Sequence, residues 1–276
     1  MKRLLGWLLV CLPVAAGAQS VQDSLAIAAI RWDTCCVRPH LVAVQAQLEL
    51  FGAPQAISMV RYDAGRYRTR IVQPDSLTLT SVLAEAEGAV AAVNAGYFNV
   101  KTLVPSTFVR VGGRTVAATE AREEFRVNGV VAIKGRRVRI EPYVPADDAR
   151  LARRYRDALA AGPLLLCRGE ALSYADREGG FWGRHPRSVV GVTRQGEAVM
   201  IVVDGRFRGQ AAGMTIGELI YLVRQLGLYS ALNLDGGGSS TLWCEEAGVV
   251  NRPSDNRRFD HEGERRVTNC IAVVAE

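Results

Sequence analysis

Apolar residues fall at every second position through residues 41–50 (Val42, Val44, Ala46, Leu48 and Leu50), the period of a strand with one buried face. Segments 57–60 and 67–72 repeat the style on either side of the turn sequence Asp63-Ala64-Gly65. The spacing predicts a helix over residues 76–87, stopped by Gly88. A buried strand over 89–93 follows and ends at Asn94-Ala95-Gly96-Tyr97-Phe98-Asn99. Gly112-Gly113 joins strands over 107–111 and 114–118 as a hairpin, and Lys134-Gly135-Arg136 joins 130–133 to 137–140. Residues 147–160 read as a helix closed by Gly162-Pro163, after which 164–166 resume a sheet. In the last third, apolar strands over 188–193 and 198–203 flank Gln195-Gly196. A helix over 216–226 follows, with Thr215 and Glu218 as a capping box and Gly227 as its stop. Strands over 231–234 and 267–274 complete the pattern. The expected architecture is α+β: a mixed β-sheet packed with helices in one main domain over 76–276, led by a strand-rich segment over 19–75.

The extreme N-terminus departs from this pattern. Lys2 and Arg3, a compact apolar stretch and Ala16-Gly17-Ala18 have the layout of a secretory signal peptide over residues 1–18. The apolar run is shorter than the roughly 20 residues that cross a bilayer, and no later segment is longer. The mature chain is therefore expected to be exported, periplasmic or extracellular in a bacterium, with no membrane span. Of 276 residues 49% are hydrophobic and 22% charged, enough apolar material for a sizeable core. The formal charge of +6 is spread along the chain rather than gathered in a stripe, which argues against nucleic acid and suits anionic small ligands. Beyond the leader, Cys35, Cys36, Cys167, Cys244 and Cys270 are an odd set that cannot pair completely within one chain. No Cys/His spacing marks zinc, and His40, His185 and His261 do not form a ligand pair. A calcium ion held by carboxylates and carbonyls is the one metal left open, and no other cofactor is implied.

Candidate chemistry concentrates at strand ends. In Asp235-Gly236-Gly237-Gly238-Ser239-Ser240, three glycines allow backbone amides to converge on an anion, two hydroxyls add donors, and a carboxylate stands at the lip. A tight connecting loop is the plain alternative. The lysine and spacing of a Walker loop are missing, as is the dinucleotide fingerprint. Asp204-Gly205-Arg206 ends another apolar strand. If 198–203 and 231–234 run parallel, the helix between them brings Asp204 and Asp235 to one sheet edge, where two carboxylates can divide acid–base work. Arg187, in Arg184-His185-Pro186-Arg187-Ser188, is a candidate bidentate phosphate ligand, and Asn94 a candidate donor to sugar hydroxyls. Glu218 is accounted for by its cap.

The segments also follow a familiar order. Asn94-Ala95-Gly96-Tyr97-Phe98, Gly162-Pro163-Leu164-Leu165, His185-Pro186-Arg187-Ser188, Val203-Asp204-Gly205-Arg206, Gly213-Met214-Thr215 and the Asn233–Ser240 run succeed one another. Asn251-Arg252-Pro253 and Glu264-Arg265-Arg266-Val267-Thr268-Asn269 complete the series. In this the sequence resembles the phosphodiester glycosidase domain over roughly residues 77–274. It departs at Ala95, where the family usually has glycine, at Tyr97, often phenylalanine, and at Ser188, more commonly threonine. The resemblance implies hydrolysis of a sugar-1-phosphodiester at the anomeric bond, releasing free sugar and a phosphomonoester, from a small sugar phosphate or a cell-envelope glycan. It implies that Arg187, Arg206 and the amides of Gly236, Gly237 and Gly238 hold phosphate beside Ser240. Asn94 and Ser239 then contact the sugar, and Arg265 adds positive potential. One of Asp204 and Asp235 activates water or stabilises an oxocarbenium-like transition state. The rival readings are a non-catalytic envelope carbohydrate-binding module, an exopolysaccharide-processing glycosidase and a plain phosphodiesterase. Two strand-end acids beside an anion site exceed what mere binding needs, and a metal phosphodiesterase would want a His/Asp cluster.

Overall fold

A computed structural model of the protein describes residues 21–275, so the leader expected over 1–18 lies outside the described residues. The chain opens with α1 (Val21–Ala28) and runs through β1 (Asp33–Arg38), β2 (Leu41–Leu50), β3 (Ala53–Asp63) and β4 (Arg68–Val72). Then come α2 (Thr80–Ala86), β5 (Ala89–Asn94), the short pair β6 (Phe98–Asn99) and β7 (Val104–Pro105), and the hairpin of β8 (Val109–Val111) and β9 (Arg114–Ala117). A second hairpin, β10 (Gly129–Lys134) and β11 (Arg137–Pro142), leads to α3 (Asp148–Arg154), β12 (Asp157–Ala161), β13 (Leu164–Cys167) and β14 (Glu170–Ala171). The last third contains β15 (Arg187–Thr193), β16 (Glu197–Val203), α4 (Ile216–Gln225) and β17 (Leu228–Asn233). It closes with β18 (Leu242–Cys244), β19 (Gly248–Val249) and β20 (Cys270–Val274).

These strands form an eight-stranded sheet, β1-β2-β3-β16-β15-β17-β13-β14, and two five-stranded sheets, β11-β10-β12-β8-β9 and β19-β18-β5-β20-β4. The fold is mixed, as expected, but mostly β: strands make up 42% of it and helices 17%. Strands from before residue 75 are built into sheets completed by the last third of the chain, with β3 on β16 and β4 on β20.

The large sheet is covered on both faces, which explains why β16 reads as one unbroken apolar run. Its Val199, Ile201 and Val203 pack toward Leu219, Leu222 and Val223 of α4. Its Ala198, Met200 and Val202 pack toward Val93, Val131, Leu159 and Ile271 of the smaller sheets. Period-two alternation is present, but both faces are buried, so nothing polar marks it. The capping box of α4 is formed: Glu218 N donates to Thr215 Oγ1 (3.1 Å), and Thr215 N to Glu218 Oε2 (2.9 Å). Glu218 also takes a bidentate ion pair from Arg184. Gly112 and Gly113, at φ 59° and 85°, make the hairpin turn between β8 and β9, where positive φ is required at both positions.

Three expected elements need correction. The helix over 147–160 ends at Arg154, and residues 157–161 form β12 between β10 and β8. Ala158, Leu159, Ala160 and Ala161 favour helix intrinsically, but every one is buried in the middle of a sheet, and tertiary pairing overrides propensity. Helix α2 starts at Thr80 rather than 76, because Thr78 bridges to Val267. That bridge also detaches Val267 from the closing strand, which begins at Cys270.

Candidate active site

Strands β16 and β17 both pair antiparallel with β15, so they run parallel to one another, with α4 as the crossover. The condition set by the sequence is met, and Asp204 and Asp235 leave the same edge of the sheet. Register adds the start of β15: Arg187 pairs with Val203 and Val189 with Asn233. Strand β5 brings Asn94 from a second sheet, where it pairs with Cys270.

The backbone of Asp235 is clamped. Its N–H donates to Ala95 O (2.8 Å), and its carbonyl accepts from Asn94 Nδ2 (2.6 Å). Asn94 is fully buried, and its Oδ1 accepts from Ser188 Oγ (2.7 Å) and Thr241 N (3.1 Å). It therefore ties both ends of the glycine loop together. The Tyr97 hydroxyl donates to Gly162 O (2.6 Å) and Leu234 O (3.2 Å), holding the floor beneath Asp235.

The glycine loop works by close approach. A Cβ on Gly236 would stand 2.6 Å from Pro186 O, one on Gly237 2.8 Å from Arg206 Nη2, and one on Gly238 2.4 Å from Arg265 Nη2. Both arginines thus lie directly on the loop, where any larger residue would displace them. Of the three glycine amides expected to form the nest, that of Gly237 donates to Pro186 O, and beyond them Ser239 N and Ser240 N donate to the carbonyls of Gly236 and Gly237. The hydroxyls add further donors. Ser239, Ser240 and Thr241 are buried, and none of their Oγ atoms has a hydrogen-bond partner. Orphaned buried hydroxyls cost stability unless a ligand satisfies them. Arg206 is exposed, holds the left-handed backbone at φ 71°, and makes no hydrogen bond or ion pair among the described residues. Such strain in a non-glycine residue concentrates at functional sites. Arg265 is paired with Asp255 across Gly238.

The two aspartates differ. Asp204 is buried, with Oδ1 and Oδ2 accepting from Arg252 N (3.1 and 3.0 Å) and Oδ1 also from Asn251 Nδ2 (2.8 Å). Burial pushes its carboxyl up to about 7, against the opposing pull of Asn251 and Arg252. Asp235 is enclosed by protein but keeps some accessible surface. Burial pushes it up to about 6, opposed by Ser239, Arg126 and Arg265 and assisted by Glu123. The Ser239 hydroxyl is near enough to lower the proton affinity of Asp235 without reaching hydrogen-bond geometry.

Arg187 is also turned inward. Its Nε donates to Met214 O (2.9 Å) and its Nη2 to Phe181 O (2.8 Å) and Gly183 O (2.6 Å), which pins the short turn at Gly180–Trp182. Burial lowers its guanidinium to about 10, still protonated at neutral pH.

Arg126 and Glu123, beside Asp235, went unnoticed in the sequence because the run from Glu120 to Arg126 looks like an ordinary solvated stretch of charge. Glu123 is buried, accepts from Ser106 Oγ (3.0 Å), and holds Arg126 at 2.5 Å. Asp255 was missed as well; its one cue is its place in the polar segment between Asn251 and Arg265. Among the described residues no three His, Cys, Asp or Glu side chains gather as a metal site, and the carboxylates of Asp204 and Asp255 are engaged with Asn251 and Arg265.

Comparison with known proteins identifies the fold and the family. No curated protein matches the chain. Among solved structures, the catalytic domain of zebrafish N-acetylglucosamine-1-phosphodiester alpha-N-acetylglucosaminidase, auto-inhibited by its pro-peptide, is similar with a TM-score of 0.68 at 16% identity, over 89% of this chain and 88% of that one. A hypothetical protein from Synechocystis gives a TM-score of 0.66 at 18% identity over 89% of this chain, which spans only 64% of that one. A protein of Burkholderia pseudomallei K96243, whose name proposes export, gives 0.61 at 16% identity, over 83% of this chain and 75% of that one. At such identities the likeness is one of fold. The sequence model of the phosphodiester glycosidase family, however, matches residues 87–274, well over half the chain and every segment of the site just described, and the protein belongs to that family.

Proposed function

We propose that the protein is an exported hydrolase that cleaves a sugar-1-phosphodiester at the anomeric carbon, releasing free sugar and a phosphomonoester. The observation that carries this reading is the set of orphaned Ser239 and Ser240 hydroxyls on a loop whose glycines bring Arg206 and Arg265 to close approach, next to a carboxyl with a raised pKa. The hydroxyls and guanidiniums suit a phosphodiester, with charge-assisted hydrogen bonds to its oxygens. Asp235, the acid with accessible surface, then faces the sugar. As a carboxylate it activates water or stabilises the oxocarbenium-like transition state. The leaving phosphate is already a stable anion, so strong general-acid assistance is not needed. Asp204 acts as a positioning residue: both of its oxygens are committed to Asn251 and Arg252, so it holds the segment that brings Asp255 and Arg265 to the loop. Asn94 and Arg187 are likewise positioning residues. The signal-peptide layout of residues 1–18 and the name of the Burkholderia protein support export to a periplasm or the extracellular space.

The test is incubation of residues 19–276 with a panel of sugar-1-phosphodiesters, nucleotide sugars included, following the anomeric carbon and phosphorus by NMR. Free sugar and phosphomonoester, absent with Asp235→Asn, support the reading. Sugar phosphate as product indicates P–O cleavage and a phosphodiesterase. Binding without turnover across the panel indicates a carbohydrate-binding module.

A further inference from the structure

Next to Asp235 lies a group of rings that the phosphate chemistry does not use. Phe125 follows the short turn at Ala121–Glu123 and is 50% exposed, one of the larger apolar side chains left in water. Its ring meets Phe181 edge-on, with centroids 5.9 Å apart and planes at 82°, and Phe181 in turn meets Tyr97 at 6.4 Å. The three rings surround one cation. Arg126 Cζ lies 3.9 Å from the Tyr97 centroid, 5.2 Å from Phe181 and 5.5 Å from Phe125. Tyr97 is bonded to the carbonyl of Leu234, the residue before Asp235, so the group is fixed to the floor of the site.

This wall is rigid. Arg126 is held by Glu123, Glu123 by Ser106, and the Phe181 carbonyl by Arg187. Phe125 is the member that no such anchor hides. A single exposed phenylalanine means little on its own, but one set edge-on against a fixed ring is how ligand sites present apolar area beside a few placed polar groups. The ligand chemistry follows from what each side offers. Arg206, Arg265 and the serine hydroxyls serve the anion, whereas the charge of Arg126 is already answered by Glu123, and the rings offer an anionic phosphodiester nothing. A sugar ring has an apolar C–H face that packs on an aromatic ring and hydroxyls at its rim that reach a guanidinium.

We infer that Phe125 and Phe181, backed by Arg126, form the platform on which the sugar ring of the substrate stacks, with Asp235 between that platform and the phosphate side. This deepens the proposed function and rests on it for the word substrate. As a claim about binding it can be tested separately.

The test compares the wild-type mature protein with Phe125→Ala and Phe125→Trp. Binding of free N-acetylglucosamine, glucose, galactose and mannose is measured by NMR titration, with inorganic phosphate as the second probe. The expected result is that Phe125→Ala weakens the Kd of the bound sugar about tenfold, that Phe125→Trp restores it, and that phosphate affinity and the melting curve stay as in wild type. If the protein turns over a sugar-1-phosphodiester, KM should rise in the same proportion, with a smaller change in kcat. Unchanged sugar affinity in Phe125→Ala, an equal loss for phosphate, or no binding of any sugar by wild type overturns the platform. Sugar binding that depends on Phe125 without any hydrolysis would uphold it and reject the catalytic reading alone.

Discussion

Two aspartates leave the same sheet edge, and what surrounds each carboxyl separates their roles. Asp204 and Asp235 are close to indistinguishable in the sequence: each ends an apolar strand, and each is followed by glycine. Their partners come from distant segments, Asn251 and Arg252 for one, Arg126 and Arg265 for the other, which no local pattern encodes. Both titrate above an ordinary aspartate, so protonation favours the native state. That contribution is full below about pH 4 and is lost as pH rises through about 6 for Asp235 and about 7 for Asp204. Asp235→Asn, which mimics the protonated form, should leave the melting temperature at pH 8 unchanged or higher while turnover falls about 10²–10⁴-fold. In the wild type, kcat/KM should climb from pH 5 to 7 with a midpoint near 6, because Asp235 acts as the carboxylate. A profile flat across that range would remove Asp235 from the reaction. The inward turn of Arg187 and Asn94 was equally invisible, since an arginine at a strand start looks like an anion ligand until its carbonyl partners are known.

The elements that carry the site were among the most legible. Strand β16, helix α4 with its capping box, and strand β17 follow from apolar period, cap residues and Gly227, and their parallel relation follows from the crossover. The glycine loop was legible as a place but not in full as a device: its glycines also admit two arginines at close approach. Gly238→Ala should therefore displace Arg265 and raise KM for the phosphodiester, while Gly217→Ala, on α4, where a Cβ would meet Thr215 Oγ1 at an ordinary 4.0 Å, should not, as steady-state kinetics would reveal. Asp204 belongs to the element scale too, as the tether of the loop between β19 and β20. Asp204→Ala leaves Asn251 Nδ2 with Ser240 O alone and Arg252 N without its acceptor, and should cost about 1–3 kcal/mol in urea unfolding and weaken turnover indirectly. Strand β12 was read as helix because alanine-rich stretches carry no strand signal until a sheet buries them.

At the scale of the whole molecule, the site sits where three sheets converge, and the first strands of the chain close the largest of them. The sequence suggests a boundary near residue 75, where the strand-rich first part gives way to the mixed pattern. In the sheet, however, β3 covers the edge of β16 along its whole length. A chain of residues 76–276 alone would expose the apolar strand β16 as an open edge. It should be aggregated or poorly folded by size-exclusion chromatography and circular dichroism; a monomeric, active fragment would establish the boundary instead. The mostly β character escaped the sequence because so many strands are short pieces paired at long range, such as β18 on β5 and β20 on β4.

The central claim, that water attacks the anomeric carbon and not phosphorus, is tested most directly by hydrolysis in ¹⁸O-labelled water. The protein is incubated with a sugar-1-phosphodiester that it turns over, and both products are examined promptly by mass spectrometry, with unlabelled product as the control for exchange. The expected result is label in the sugar and none in the phosphomonoester. Label in the phosphate would mean P–O cleavage and would contradict the glycosidase assignment, whatever the fate of the Asp235 variant.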